Sequence, residues 1–66
     1  MQVLVNGETR ELAAGTTLAE LLSQLELAER PLAVERNFEI VPRESRAQVI
    51  LQPGDRLELV TLVGGG

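Results

Sequence analysis

The 66-residue sequence contains no cysteine and no histidine, and these two absences exclude several classes of protein. Disulfide-stapled domains are excluded because they need paired cysteines. A zinc site would lack the thiolate and imidazole ligands that such sites use most often. Nucleophilic catalysis would lack both a cysteine nucleophile and a histidine base. We therefore expect no metal site, and we predict that the chain is not an enzyme.

Lysine is also absent, and Phe38 is the only aromatic residue. Without lysine, no side-chain amine is available for Schiff-base chemistry or for acyl transfer to the chain itself. Without further aromatic rings it lacks the platforms on which single-stranded nucleic acids stack. The formal net charge of −4 also disfavours binding to a phosphate backbone, which needs a basic surface. No nucleic-acid partner is expected.

No apolar run in the sequence approaches the roughly 20 residues that a membrane-spanning helix needs. The first ten residues, MQVLVNGETR, also lack the basic and apolar segments of a secretory signal. These features predict a cytoplasmic protein with no membrane partner, monomeric when free. The length predicts one domain with a dense core, because chains of about 60 residues bury only about 60% of their unfolded surface.

The first segment has the pattern of a β-hairpin. Val3 and Val5 alternate with their neighbours, and Asn6-Gly7 is the preferred pair for a two-residue type I′ turn. Residues 8–13 form the predicted return strand, with Leu12 as its clearest inward residue.

The segment AGTTLAELLSQLEL predicts the main helix. Leucines recur at spacings of three and four residues and form one apolar stripe: Leu18, Leu21, Leu22 and Leu25. Thr17 and Glu20 have the spacing of a capping box, in which each side chain bonds the backbone amide of the other residue. Pro31 sets the latest expected end of this helix.

The second half predicts short strands and turns. PLAVERNFEIVPRE indicates two strands around a turn near Asn37, and SRAQVIL indicates a helical turn followed by a short strand at residues 49–51. QPGD is a turn, and RLELVTLV is the last strand. This order predicts an α+β fold of the β-grasp (ubiquitin-like) type, with a mixed sheet of four to five strands, one main helix on one face, and the first and last strands adjacent in the middle. The predicted domain spans residues 1–63, and residues 64–66 form a flexible functional tail.

Two smaller features carry expectations of their own. A lone phenylalanine usually fills a core, and this is the expected role of Phe38. The alternative is an exposed turn position that contacts a partner. Arg43 and Arg46 lie close together beside a turn, and we expect solvated surface side chains that could pair with an acidic partner.

The last residues, TLVGGG, offer the one candidate reactive group. A terminal α-carboxylate at Gly66 would be ionised at neutral pH, and activation as a mixed anhydride with AMP would open it to a sulfur or amine nucleophile. Glycine has no side chain, so Gly64 and Gly65 could pass through a narrow, water-excluding channel of another enzyme. If the first and last strands are neighbours, an apolar patch forms on the helix-free face and continues into the tail, and its predicted partner-contacting residues are Leu4, Val60, Leu62 and Val63.

The sequence resembles the ThiS family of sulfur carriers in thiamin biosynthesis. The resemblance covers essentially the whole chain and rests on five segments: MQVLVNGE, AGTTLAELL, EIVPRE, PGDRLELV and VGGG. Gly65 and Gly66 match the terminal glycine pair of the family, and Gly64 matches an extra glycine that some members have. Phe38 departs from the family pattern, in which a small or polar turn residue is common.

The resemblance implies a protein substrate that other enzymes modify. A ThiF-type adenylyltransferase would use ATP and Mg²⁺ to adenylate Gly66, and the chain itself would bind no cofactor. Sulfur from the persulfide of a cysteine desulfurase would replace AMP and leave a thiocarboxylate. The thiocarboxylate would then donate sulfur to a ThiG-type thiazole synthase for formation of the thiazole ring.

Three alternatives remain open from the sequence. A molybdopterin-type sulfur carrier would use the same chemistry with a different acceptor. A ubiquitin-like modifier would end as an amide on a target protein. A plain β-grasp interaction module would carry its glycines incidentally.

Overall fold

A computed structural model describes residues 1–62 of the chain. These residues form five strands, one α-helix and one 3₁₀ turn. In chain order the elements are β1 (Gln2–Val5), β2 (Glu8–Glu11), α1 (Leu18–Gln24), β3 (Leu32–Arg36), β4 (Glu39–Ile40), the 3₁₀ turn (Arg43–Ser45) and β5 (Arg56–Thr61).

The five strands form one mixed sheet in the order β2-β1-β5-β3-β4. β1 and β5 are parallel neighbours at its centre, and the other pairs are antiparallel. Helix α1 covers one face. This arrangement confirms the β-grasp prediction, including the central pairing of the first and last strands.

Both hairpins turn through two residues with positive φ, as a type I′ turn requires. In the first, Asn6 has φ 50° and Gly7 has φ 82°, so the predicted turn is confirmed. In the second, the corresponding residues are Asn37 with φ 51° and Phe38 with φ 70°. The first return strand ends at Glu11, two residues earlier than predicted, and Leu12 is buried just beyond it.

Helix α1 begins where the sequence predicts. The Thr17 hydroxyl accepts a hydrogen bond from the Glu20 amide at 3.1 Å, and the Glu20 carboxylate accepts one from the Thr17 amide at 2.9 Å. The helix ends at Gln24, well before Pro31, and Glu26 then takes a left-handed conformation with φ 60°.

Loss of the capping hydroxyl should weaken the domain measurably. We expect Thr17→Ala to lower the free energy of unfolding by about 1 kcal/mol, because the Glu20 amide loses its acceptor. Urea denaturation at neutral pH measures the change. Thr17→Ser keeps the hydroxyl and should stay within a few tenths of a kcal/mol of the wild type. Equal destabilisation by both substitutions would contradict the capping explanation.

The core lies between α1 and the sheet. It combines inward residues of the central strands with the helical stripe and three residues from connecting segments: Val3, Val5, Leu12, Leu18, Leu21, Leu22, Leu32, Val34, Val41, Leu51, Leu57 and Leu59. Leu25, the last leucine of the predicted stripe, is partly buried against this cluster.

The segment before β5 differs from its prediction. The helical turn occupies Arg43–Ser45, just before the predicted position, and residues 49–51 do not form a strand. Ile50 makes a single bridge with Thr17, because the next residue, Leu18, is already helical and cannot continue a ladder. No helix within residues 1–62 has the length and apolar character needed to cross a membrane.

Candidate functional site

Strand β5 carries the chain toward the predicted reactive segment. Its last residue is Thr61, and the amide of Leu62 then donates a hydrogen bond to the carbonyl of Pro31 at 2.9 Å. Pairing with β3 and the hydrogen bond to the residue that precedes β3 therefore hold the backbone in place as far as Leu62. The tail predicted from the sequence (Gly64, Gly65 and Gly66) and the predicted contact residue Val63 lie outside the described residues.

The other three predicted contact residues lie on the helix-free face of the sheet. Leu4 is 37% exposed, Val60 57% and Leu62 54%. Their strand neighbours Leu57 and Leu59 point into the core, as the alternation of the last strand predicts.

The strand register separates Leu4 from the other two. Leu4 is aligned with Arg56 of β5, whereas Val60 is aligned with Ala33 of β3. Val60 lies four positions after Arg56 along β5, which corresponds to about 13 Å. The single apolar patch expected from the sequence is thus two apolar regions, one beside the chain exit and one at the opposite end of the face.

Charged residues occupy the middle of this face. Glu35 and Glu58 are cross-strand partners, and both are partly buried. Arg56 offsets their repulsion in part, because its Nε lies 3.4 Å from a carboxylate oxygen of Glu58. A partner covering the face would therefore meet apolar, charged and apolar regions in turn.

Phe38 does not fill the core, and that prediction is wrong. Its side chain is 74% exposed at the tip of the β3–β4 hairpin. The Arg56 guanidinium lies over its ring, with Cζ 5.0 Å from the ring centroid. Phe38 lies in the turn, where the backbone directs its ring away from α1. The core is therefore filled by other residues.

Asp55 is the centre of a polar network that the sequence analysis missed. Its carboxylate accepts hydrogen bonds from Arg36 Nε at 2.9 Å, Asn37 Nδ2 at 3.0 Å and the Gln52 amide at 2.8 Å. The residue is only 5% exposed. The network ties the turn before β5 to the β3–β4 hairpin, and only the QPGD turn signal pointed to this part of the chain.

Asn6 plays a similar role at the other hairpin. Its side-chain oxygen accepts from the Leu59 amide at 2.7 Å, and its side-chain nitrogen donates to the Leu59 carbonyl at 3.0 Å. The side chain thus pairs with β5 where β1 has ended. This contact holds β5 in place on its way to the chain exit.

Arg46 contradicts the expectation of a solvated surface residue. It is 7% exposed, and Nη2 donates to the Leu32 carbonyl at 2.8 Å, while Nε is buried without a partner among residues 1–62. The chain places it there because the segment after the 3₁₀ turn folds back against the start of α1, where the Ala19 amide bonds the Arg46 carbonyl. Arg43 remains exposed, as expected.

Two shallow grooves flank the helix. One, of about 210 Å³, runs between α1 and the 3₁₀ turn beside Arg43 and Arg46. The other, of about 340 Å³, lies beside Asn6 and Thr61. Within residues 1–62 there is no group of three or more acidic, cysteine or histidine side chains that could hold a metal ion.

Comparison with known proteins shows to which family the chain belongs. The sequence profile of the ThiS family matches residues 3–66. The chain belongs to the ThiS family. The resemblance seen in the sequence motifs is therefore confirmed, and it includes the glycines that lie outside the described residues.

ThiS relatives match the chain from end to end. The sulfur carrier protein ThiS of Escherichia coli K12 is 44% identical over 66 residues, which is 100% of both proteins. The crystal structure of the thiamine biosynthesis protein ThiS from Geobacter metallireducens superimposes with a TM-score of 0.85 at 33% identity, and it too is covered completely.

A second group of relatives is much longer. A thiazole synthase of Paramagnetospirillum magneticum is 48% identical over 66 residues, but the match covers only 20% of that protein. A thiazole synthase of Magnetococcus marinus gives 44% identity over the same share. The chain thus spans a fifth of the length of the thiazole synthases that it matches.

Proposed function

We propose that this member of the ThiS family is a sulfur carrier in thiamin biosynthesis. The observation that carries the proposal is the end-to-end match to the E. coli sulfur carrier on the same fold. In this proposal the chain is a protein substrate and not an enzyme, and its reactive group is the carboxylate of Gly66.

The chemistry proceeds by activation of that carboxylate. A carboxylate is a poor acyl donor, because direct substitution would have to expel oxide. Attack of the Gly66 carboxylate on the α-phosphate of ATP, with Mg²⁺ bound by the activating enzyme, releases pyrophosphate and gives an acyl adenylate. The outer sulfur of the desulfurase's persulfide then displaces AMP and forms an acyl disulfide. Attack of a thiol reductant on the donor's sulfur of that disulfide releases the thiocarboxylate and leaves the donor cysteine in a mixed disulfide.

The role of the folded domain in these reactions is to present the carboxylate to other enzymes. β5 is fixed by β1, β3 and the Asn6 side chain up to Leu62, so the folded body stays outside while the following residues reach an enzyme's site. Four extended residues span about 13 Å. The small side-chain volume of glycine permits close approach to the backbone inside such a site.

Three partners follow from the proposal. A ThiF-type adenylyltransferase activates the carboxylate, a cysteine desulfurase supplies the sulfur, and a ThiG-type thiazole synthase receives it. The third has the most support, because two relatives of this chain are themselves named thiazole synthases. The match to thiamin-branch carriers also favours this acceptor over molybdopterin synthesis or protein conjugation.

Intact-mass spectrometry tests the proposal directly. After incubation with ATP, Mg²⁺, a thiol reductant, a ThiF-type enzyme and a desulfurase with cysteine, the 66-residue protein should gain the mass difference between one sulfur and one oxygen atom. The matched control omits ATP and should leave the mass unchanged. An unchanged mass in the complete reaction, with enzymes proven active on another carrier, would refute the sulfur-carrier function. Transfer to a lysine of another protein would favour a ubiquitin-like modifier.

A further inference from the structure

Phe38 occupies a position that the backbone makes unfavourable for a large side chain. It is the second residue of a two-residue hairpin turn, with φ 70°, where glycine is preferred. In the left-handed region the Cβ of an L-residue crowds its own carbonyl oxygen, and bulky residues are rarely found there. Burial does not compensate for this strain, because the side chain is 74% exposed. Stability of the domain alone therefore does not account for a phenylalanine at this position.

The turn that carries Phe38 is firmly held. The Asn37 amide donates to the Arg56 carbonyl at 2.8 Å, and the Arg56 amide donates to the Asn37 side-chain oxygen at 2.9 Å. Asn37 also donates to the buried Asp55 carboxylate at 3.0 Å. These contacts fix the hairpin tip before any partner arrives. A fixed aromatic side chain loses less conformational entropy on binding than one carried by a free loop.

Three neighbours extend the exposed ring into a surface, which we call the Phe38 patch (Leu4, Phe38, Ile40 and Arg56). Arg56 lies over the ring, and Leu4 is the strand partner of Arg56. Ile40, 76% exposed, follows on β4. Aromatic and arginine side chains are the groups that most often dominate binding energy in protein interfaces.

We propose that the Phe38 patch is a docking surface for the thiazole synthase, with Phe38 as its anchor. Phe38 enters an apolar pocket on the synthase, and Arg56 pairs with a carboxylate at the rim of that pocket. This inference rests on the proposed carrier function and names a part of the surface that its acceptor recognises.

Charge and continuity support this choice of partner. Within residues 1–62 the ion pair of the Arg56 guanidinium group is the one from Nε to Glu58, and the side chain is 51% exposed, so this part of the chain leaves donors for an acidic group of the partner. The face continues from Arg56 along β5 to Leu62, about 20 Å away, and so connects the Phe38 patch with the segment that leads to the proposed reactive carboxylate. The synthase is favoured because relatives of this domain belong to chains named thiazole synthase, where the two would meet at high effective concentration.

Phe38→Gly separates binding from folding. Glycine relieves the left-handed backbone, so the variant should keep a melting temperature equal to or above that of the wild type. Its Kd for a purified ThiG-type synthase without a carrier domain of its own should rise at least tenfold, measured by titration calorimetry. Phe38→Tyr, which keeps the ring, should bind as the wild type does. Ile50→Thr is the matched control, because Ile50 is an exposed apolar residue, 53% exposed, that lies off this face beside Thr17.

The outcomes distinguish this inference from the carrier function. An unchanged Kd for Phe38→Gly, with normal thiocarboxylate formation, overturns the docking surface and leaves the carrier function intact. If the wild type forms no thiocarboxylate and does not bind the synthase, both are overturned. The wild type could instead sediment as a dimer that Phe38→Gly loses, while the Kd of Phe38→Gly for the synthase stays unchanged. That result would assign the patch to self-association and overturn the proposal. If Phe38→Gly folds poorly, Phe38→Asn replaces it, because asparagine tolerates the left-handed region, and the same tenfold criterion applies.

Discussion

Gly66→Ala should reduce the rate of adenylation by about a hundredfold. The added methyl group lies on the residue that carries the reacting carboxylate, in a site that must enclose it closely. A displacement of about 1 Å at a reacting centre is enough for an effect of this size. The rate is measured as pyrophosphate release in the presence of ATP, Mg²⁺ and a ThiF-type enzyme, at a carrier concentration below KM.

The controls for this prediction separate chemistry from folding and docking. Ser23→Ala changes an exposed residue of α1 and should leave the rate unchanged. The melting temperature of Gly66→Ala should equal that of the wild type, so that a slower reaction reports the chemistry and not a loss of folded protein. A wild-type rate for Gly66→Ala would show that the steric explanation of the glycine tail is wrong, while leaving the identity of the reactive group to the mass measurement.

Asp55→Asn should lower the free energy of unfolding by about 2 kcal/mol at pH 7. The carboxylate holds three donors, and hydrogen bonds to charged groups contribute about 1.5–3 kcal/mol each. An asparagine side chain has one oxygen instead of two and no charge, so at least one donor in this buried network loses its acceptor. Urea denaturation of both proteins measures the difference.

The difference in the free energy of unfolding between the wild type and Asp55→Asn should depend on pH. Burial by itself raises the pKa of Asp55, but hydrogen bonds from Gln52, Asn37 and Arg36 and the charge of Arg36 outweigh it and hold that pKa below its ordinary value. A lowered folded-state pKa contributes stability that is complete above the unfolded value of about 3.9 and is lost as the pH falls through the folded value. The difference between wild type and Asp55→Asn should therefore be constant from pH 7 to about pH 5 and shrink below about pH 3.9.

An exposed carboxylate provides the comparison for charge alone. Glu29→Gln removes one negative charge at the surface and should change stability by less than about 0.5 kcal/mol. If Asp55→Asn showed the same small change at every pH, the hydrogen-bond network around Asp55 would not stabilise the fold. The network also positions Asn37, so Asp55→Asn offers a second way to loosen the hairpin tip that carries Phe38.

The features that the sequence predicted well are those fixed by local sterics. The positive φ values at Asn6 and Gly7 follow from the residues in the turn, and the Thr17–Glu20 capping box forms within one turn of helix. The leucines of α1 lie on one face of the helix because their spacing matches the helical period. These local features, taken in order along the chain, were enough to predict the β-grasp topology.

The features that the sequence left out depend on residues far apart in the chain. The 340 Å³ groove and the Asn6 contact with Leu59 exist only because β1 ends before β5 does. The network of Asp55 reaches back to Arg36, and the burial of Arg46 depends on Leu32. No pattern of apolar and polar residues encodes such contacts, because a charged residue at a turn has the same sequence signal whether it faces water or a neighbouring strand.

The sequence by itself determined the family, the fold and the glycine-rich segment that the proposed chemistry uses. The tertiary structure decided which side chains are exposed on the helix-free face that leads to that segment. The alignment of Leu4 with Arg56 divided the expected apolar patch, and the left-handed turn placed Phe38 outside the core. The physical reason is that register and side-chain direction are set by pairing between strands distant in sequence, and a shift of one residue would move every side chain to the opposite face.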